Sequence, residues 1–123
     1  MSIRAMLIAA AALSSLAAPA LAADGAFSGL SGHTVKGPVS VTKADGKITV
    51  TLADGFSLDN APDAYVALGS GAKPAAGGVL AKLKSKTGAQ TYSIATSPAL
   101  EGASQVIIWC KQYSVPLGAA DIK

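Results

Sequence analysis

Cys110 and His33 are the only cysteine and the only histidine in the chain, and that scarcity bounds the chemistry the protein can do. A structural zinc site takes four nitrogen or sulfur ligands, which this sequence does not supply without carboxylates. A blue-copper centre needs two histidines beside its cysteine and is excluded on the same count. With one cysteine there is neither a Cys-x-x-Cys dithiol nor an intrachain disulfide. The Gly69-Ser70-Gly71 segment is not followed by Gly-Lys-Ser/Thr or by a helical pattern, so it is no phosphate-cradling loop.

What survives is one sulfur among aromatic residues. Trp109, Tyr65, Tyr92 and Tyr113 are four of the six aromatic side chains. A thiolate in such a setting can ligate haem iron axially while the rings pack on the macrocycle. It can also cycle through sulfenic acid, or form a mixed disulfide with a partner protein. A Cys110/His33 nucleophilic pair is a further option, because a neighbouring imidazole favours the thiolate, although nothing in the spacing brings the two together. Against all of these stands a plain alternative: free cysteine is among the most buried residue types, and an aromatic cluster is most simply a core.

The sulfur sits at the end of the chain's most concentrated apolar run after the leader, Gln105-Val106-Ile107-Ile108-Trp109-Cys110-Lys111. On the two-residue strand period, Val106, Ile108 and Cys110 face one way and Ile107 and Trp109 the other. Both faces are apolar, so a central strand covered on both sides is predicted, with its inward face undetermined. Because the polar Lys111-Gln112 follows directly, Cys110 is expected to be partly accessible.

The N-terminus reads as a secretory signal peptide over residues 1–22. Met1 to Arg4 is a short basic start, Ala5 to Ala18 a weakly apolar run, and Ala20-Leu21-Ala22 an A-x-A cleavage signal after Pro19. A mature domain over 23–123, periplasmic or secreted, is expected. No cysteine lies near the expected cut to carry a lipoprotein's acyl anchor, and nothing later is long enough for a membrane span. Without Arg4 the cations are nine lysines against seven acidic residues, too weak a balance to argue nucleic-acid or membrane binding.

Within the mature chain, Gly, Pro, Asp and Asn punctuate short strand patterns. The first is Ala26–Leu30. Val35–Lys43 alternates with its apolar residues at odd positions, and Pro38 suggests an edge or a bulge there. Lys47–Leu52 alternates at even positions, and Asp45-Gly46 between the two predicts a hairpin with a type I′ turn. Phe56 is expected to fold back over the core. Ala64–Leu68 is a strand, 69–78 a low-complexity loop, and Val79–Lys86 a strand that puts Lys82, Lys84 and Lys86 on one face. That lysine row reads as a solvated or edge-protecting face before it reads as a docking stripe for an acidic partner. Gln90–Ile94 is a strand, 97–102 a loop, and Val115–Ile122 a short or irregular edge. About eight short strands with regular turn signals and no intervening helices predict an all-β fold, an antiparallel β-sandwich or small barrel.

The ordered pieces Ser31–Gly37, Phe56, Pro62–Leu68, Leu83-Lys84, Gly88–Tyr92, Val106–Cys110 and Tyr113–Ala120 together resemble the DM13 domain, a family of small exported β-domains, over nearly the whole mature chain. The resemblance implies an all-β fold and a role in electron transfer. It further implies that the cysteine after Ile-Trp, here Cys110, acts as a bare thiol or holds a prosthetic group such as haem. It brings in His33, Asp63 and Gln90 as supporting residues, for which turn or hydrogen-bonding roles are the first expectation. Two positions depart from the family pattern: Ala95 stands where a proline is usual, and Leu117 replaces an expected aromatic.

The function expected from this reading is an exported redox or electron-transfer domain acting through Cys110, with Trp109, Tyr65, Tyr92 and Tyr113 as candidate cofactor-binding residues. The alternative is a non-catalytic extracytoplasmic binding or structural module with Cys110 in its core. A redox partner protein is implied by the first reading, without an identity or an oligomeric state.

Overall fold

The computed structural model describes residues 21–123; residues 1–20 of the expected signal peptide lie outside them. Eleven strands and one helical turn follow in the order β1 (Leu21–Ala26), β2 (Ser28–Gly29), β3 (Val35–Lys36), β4 (Pro38–Ala44), β5 (Lys47–Leu52), β6 (Ser57–Leu58), β7 (Ala64–Ser70), β8 (Lys73–Lys82), β9 (Gln90–Ala95), α1 (Pro98–Glu101), β10 (Gln105–Cys110) and β11 (Val115–Asp121). One sheet has the order β1-β4-β5-β9 and a second the order β2-β11-β10-β7-β8, with β3-β6 as a separate ribbon. Every pairing between these strands is antiparallel. The all-β expectation holds as two open sheets enclosing one core; neither sheet closes into a barrel.

Alternation builds that core. In the first sheet, Val41, Val50 and Tyr92 stand opposite one another across β4, β5 and β9 and point inward. In the second, Val66 and Leu68 of β7 and Val106, Ile108 and Cys110 of β10 meet them in the same cluster. Ile48, Val50, Leu52, Val66, Val106 and Ile108 are all fully buried. Each such aliphatic chain contributes about 1.5–3 kcal/mol relative to an exposed one. Phe56 does fold back, edge-on against Phe27 at 5.5 Å between ring centroids.

The predicted hairpin is present: Ala44 pairs with Lys47, and Asp45 and Gly46 take φ of 54° and 74° between them. The predicted single strand over Val35–Lys43, in contrast, is two strands. Gly37, at φ 110°, turns the chain between them, and Val35 leaves the sheet to pair with Leu58. Pro38 is neither on an edge nor in a bulge. It is the first residue of β4, paired with Ala26, and β4 runs between β1 and β5, where the missing N–H costs the ladder least. The strand predicted over Ala26–Leu30 is split between the end of β1 and the short β2.

The largest departure is 69–78. The expected loop is the continuation of β7 into a tight turn at Gly71-Ala72, both with positive φ, and then β8. Small residues with weak strand preference are held there by pairing to β7 with two register shifts, so tertiary pairing overrides propensity. Beyond it, β8 ends at Lys82 rather than Lys86. The loop predicted over 97–102 contains one helical turn, with Ser97 as N-cap and Pro98 at its start. The ribbon β3-β6 closes one side of the sandwich. Gly118 of β11 admits it, because a Cβ there would stand 2.7 Å from the Val35 side chain.

Candidate functional site

β10 is flanked by β7 and β11, as a central strand should be. Its pairing to β7 runs in unbroken register, Val106 to Leu68 through Cys110 to Ala64. That register fixes the direction of every side chain on it. Cys110 turns into the core together with Val106 and Ile108, while Trp109 stands on the opposite face between Tyr65 of β7 and Pro116 of β11. Lys82 of β8 is opposite Tyr65 in the same row, and the Lys111 ammonium lies 5.1 Å from the Tyr65 ring centre. The aromatic pair expected to surround the sulfur is therefore separated from it by the thickness of the sheet.

The expected partial accessibility of Cys110 is corrected by its burial: the residue is 1% exposed. The polar Lys111-Gln112 begins a turn outside the sheet, so the strand's polar end says nothing about the side chain before it. The thiol donates to the carbonyl oxygen of Pro62 at 3.3 Å, a distance within reach for a sulfur donor. Pro62 is itself exposed. It belongs to the connection Asp59-Asn60-Ala61-Pro62-Asp63 between β6 and β7, and the sulfur lies directly beneath it.

That connection is pinned at both ends. At its start Asp59 N–H donates to the Thr34 carbonyl at 3.0 Å. The Asp59 carboxylate accepts from Thr34 N–H at 2.9 Å and from Asn60 N–H at 2.6 Å, and the His33 Nδ1 lies 3.1 Å from it. These donors, with the two backbone N–H groups as the larger cause and His33 after them, hold the Asp59 carboxyl down at about 2. At the far end Lys111 N–H donates to the Asp63 carbonyl at 3.1 Å, and Asp63 takes φ of 58°. His33 and Cys110 are thus not a pair, but they hold opposite ends of one five-residue segment.

Tyr92 shares the interior cluster with Cys110. Its hydroxyl accepts from Lys84 N–H at 2.8 Å and donates to the Gln90 side-chain oxygen, and burial raises its phenol pKa. Gln90 in turn donates to the carbonyls of Ser85 and Gly88 at 2.9 and 3.1 Å. Gln90 and Tyr92 are brought together as the lock on the 84–90 connection, with Lys84 Nζ 5.0 Å from the Tyr92 ring centre. Tyr113 is 62% exposed on the turn after β10. Asp63 reaches an open cleft of about 310 Å³ that Leu58, Ala61, Ala64, Leu83 and Lys84 also line; Cys110 does not line it.

These positions do not fit a haem bound through Cys110. Axial ligation needs the sulfur at an open face with rings stacked about it. Here the sulfur is in the core and bonded to a backbone carbonyl, Trp109 and Tyr65 are on the other side of the sheet, and Tyr92 is committed to Lys84 and Gln90. Leu117, at the position where an aromatic was expected, is the extra residue of a bulge opposite Ile108 and Trp109 and is buried in the core. Among the described residues no group of three or more His, Cys, Asp or Glu side chains could hold a metal ion. No helix among them is long and apolar enough to cross a membrane.

Sequence reasoning missed Asp59, which lies in the turn-forming run Asp59-Asn60-Ala61-Pro62-Asp63. Besides the adjacent Asn60, its partners Thr34 and His33 are 25 and 26 residues away in the chain, so no local pattern could mark it. A family model described as electron transfer DM13 matches residues 26–122 of the chain. The comparison with curated proteins and the comparison with solved structures each returned no match.

Proposed function

The chain belongs to the DM13 electron-transfer family, and from that premise we propose that Cys110 is the group through which this domain exchanges electrons, reached when the segment 59–63 lifts. The observation that carries this reading is the bond from the thiol to Pro62. The acceptor belongs to an exposed residue, so the sulfur lies one residue below the surface at a strand end rather than at the centre of the sandwich.

The step is thiol–disulfide exchange with a disulfide of a partner protein. The Cys110 thiol loses its proton to solvent and the thiolate attacks one sulfur of the partner's disulfide. A bond forms between that sulfur and Cys110, the partner's S–S bond breaks, and the second partner sulfur leaves as thiolate and takes up a proton. Cys110 is oxidised and the partner sulfur that leaves is reduced. Attack of the released partner thiolate on its own sulfur in the mixed disulfide restores the partner's S–S bond and expels Cys110 as thiolate, which reverses the exchange.

A second reading has its own observation. Cys110 is 1% exposed and packs within the aliphatic cluster, which suits a structural module whose cysteine is only core. Thiol trapping decides between them. With 4,4′-dithiodipyridine under native conditions, the electron-transfer reading expects Cys110 to react by local opening, at a rate almost independent of low denaturant. A rate that rises with the full denaturant slope of global unfolding assigns Cys110 to the core and removes the redox role.

We further propose that the domain works outside the cytoplasm, on the leader-like composition of residues 1–22. A cut after Ala22 removes Leu21 and Ala22 from β1 and leaves Ala23–Ala26 paired with Val41–Pro38. Cell fractionation with N-terminal sequencing tests it: a product beginning at Ala23 in the exported fraction is expected, and a full-length cytoplasmic chain overturns it.

A further inference from the structure

We propose that Asp59 is a positioning residue, the latch that keeps the segment 59–63 closed over the Cys110 thiol; this rests on the reading of Cys110 as the exchanging sulfur. The segment buries little of its own. Asn60 and Pro62 are exposed, and only the half-buried Ala61 packs against the core, so apolar packing holds the segment down weakly. Its first residue is held by the Asp59 carboxylate, bonded to Thr34 N–H, Asn60 N–H and the His33 ring, beside the single backbone bond from Asp59 N–H to the Thr34 carbonyl. Thr34 is continuous with β3, and Val35 beside it is locked in the core. The grip therefore transfers the rigidity of the interior to a surface segment.

Beyond that grip the ties are sparse. Lys86 Nζ reaches the Asn60 side-chain oxygen at 3.4 Å, a long contact between exposed groups. At the far end the segment is held by Lys111 N–H on the Asp63 carbonyl and by the thiol itself on Pro62. When the exchanging thiolate forms, the S–H donor to Pro62 is lost. Because that proton leaves to solvent only once the segment has lifted, the bond to Pro62 cannot re-form while the thiolate persists, and the Asp59 end decides how often the segment opens. Charge-assisted bonds to backbone N–H are stronger than neutral ones, so removing the charge while keeping the shape should loosen this end.

The test compares Asp59→Asn with wild type and with Asp45→Asn, a turn change on the other sheet's hairpin, by 4,4′-dithiodipyridine labelling of Cys110 and by equilibrium unfolding of the same samples. Asp59→Asn should accelerate native-state labelling by about tenfold, with a flat denaturant dependence, and Asp45→Asn should leave the rate unchanged. His33→Asn removes one of the three partners and should give a smaller acceleration in the same direction, which keeps the test available should Asp59→Asn fold poorly. Wild-type labelling by local opening with no change in either variant overturns the latch while leaving Cys110 as the exchanging sulfur. Acceleration no greater than the loss of global stability makes Asp59 a merely structural residue and overturns the latch. Labelling through global unfolding alone in all proteins overturns both the latch and the redox reading.

Discussion

Trp109 and Tyr65 stand opposite one another on β10 and β7, on the face of the sheet turned away from the Cys110 thiol. Neighbours in sequence are thus far apart in role: the indole shapes an outer surface with Pro116 and Lys82, while the sulfur one residue later belongs to the core. Trp109→Ala should cost about 2 kcal/mol, less than a fully buried aromatic because Trp109 is only partly covered. Once corrected for that loss, the native labelling rate of Cys110 should be unchanged. A change in rate well beyond the stability loss would show that the indole screens the sulfur after all.

Cys110→Ala removes the thiol and one buried sulfur. The Pro62 carbonyl it leaves belongs to an exposed residue and can be hydrated, so the cost is that of a small packing defect, about 1 kcal/mol. Urea denaturation should show this shift with the far-ultraviolet circular dichroism intact, and disulfide exchange should be abolished. A loss of fold would mean that the sulfur's packing, and not its chemistry, is what the position supplies.

Asp59 sets an acid limit. Its carboxyl is held at about 2, below the ordinary 3.8, by the Thr34 and Asn60 N–H groups and then by His33. A folded-state value below the unfolded one means that the contribution is complete above about pH 4. It is lost progressively as the pH falls toward 2, where the folded carboxyl takes up its proton. Urea midpoints measured from pH 5 down to pH 2 should fall across that window. In Asp59→Asn the fall should be shallower, and parallel curves would show that the carboxylate is not what titrates.

Tyr92→Phe deletes a buried hydroxyl that serves two partners, Lys84 N–H and the Gln90 side chain. The expected loss is about 1–2 kcal/mol. Amide exchange at Lys84 and Ser85 should speed up by more than exchange in β5, because the damage is confined to the 84–90 connection. Uniform acceleration across the domain would refute that confinement.

The sheet framework was legible where alternation and turn chemistry agree. Val39 and Val41 against Ile48, Val50 and Leu52, joined by Asp45-Gly46, carry both signals, and the hairpin follows from them. The hairpin at Gly71-Ala72 carries neither. Ala72 holds φ of 62°, a conformation that alanine does not advertise, and the residues after it are mostly small with a proline among them. The burial of Cys110 was unreadable for a different reason: β10 is apolar on both faces, so only the second sheet decides which face is inward. Asp59 lay beyond reach because its meaning comes from His33 and Thr34, which the ribbon β3-β6 brings to it.

The bulge at Leu117 lies on one side of β10 only. Against β11 the count slips between Ile108 and Trp109, yet against β7 it never does. The thiol's address is therefore written by the β7 neighbour and the segment leading into it, and the C-terminal strand is free to gain or lose a residue near Pro116 without relocating the sulfur. Insertions and deletions should accordingly be tolerated near Pro116 sooner than around 62–66, while Gly118 stays fixed by the Val35 side chain against it.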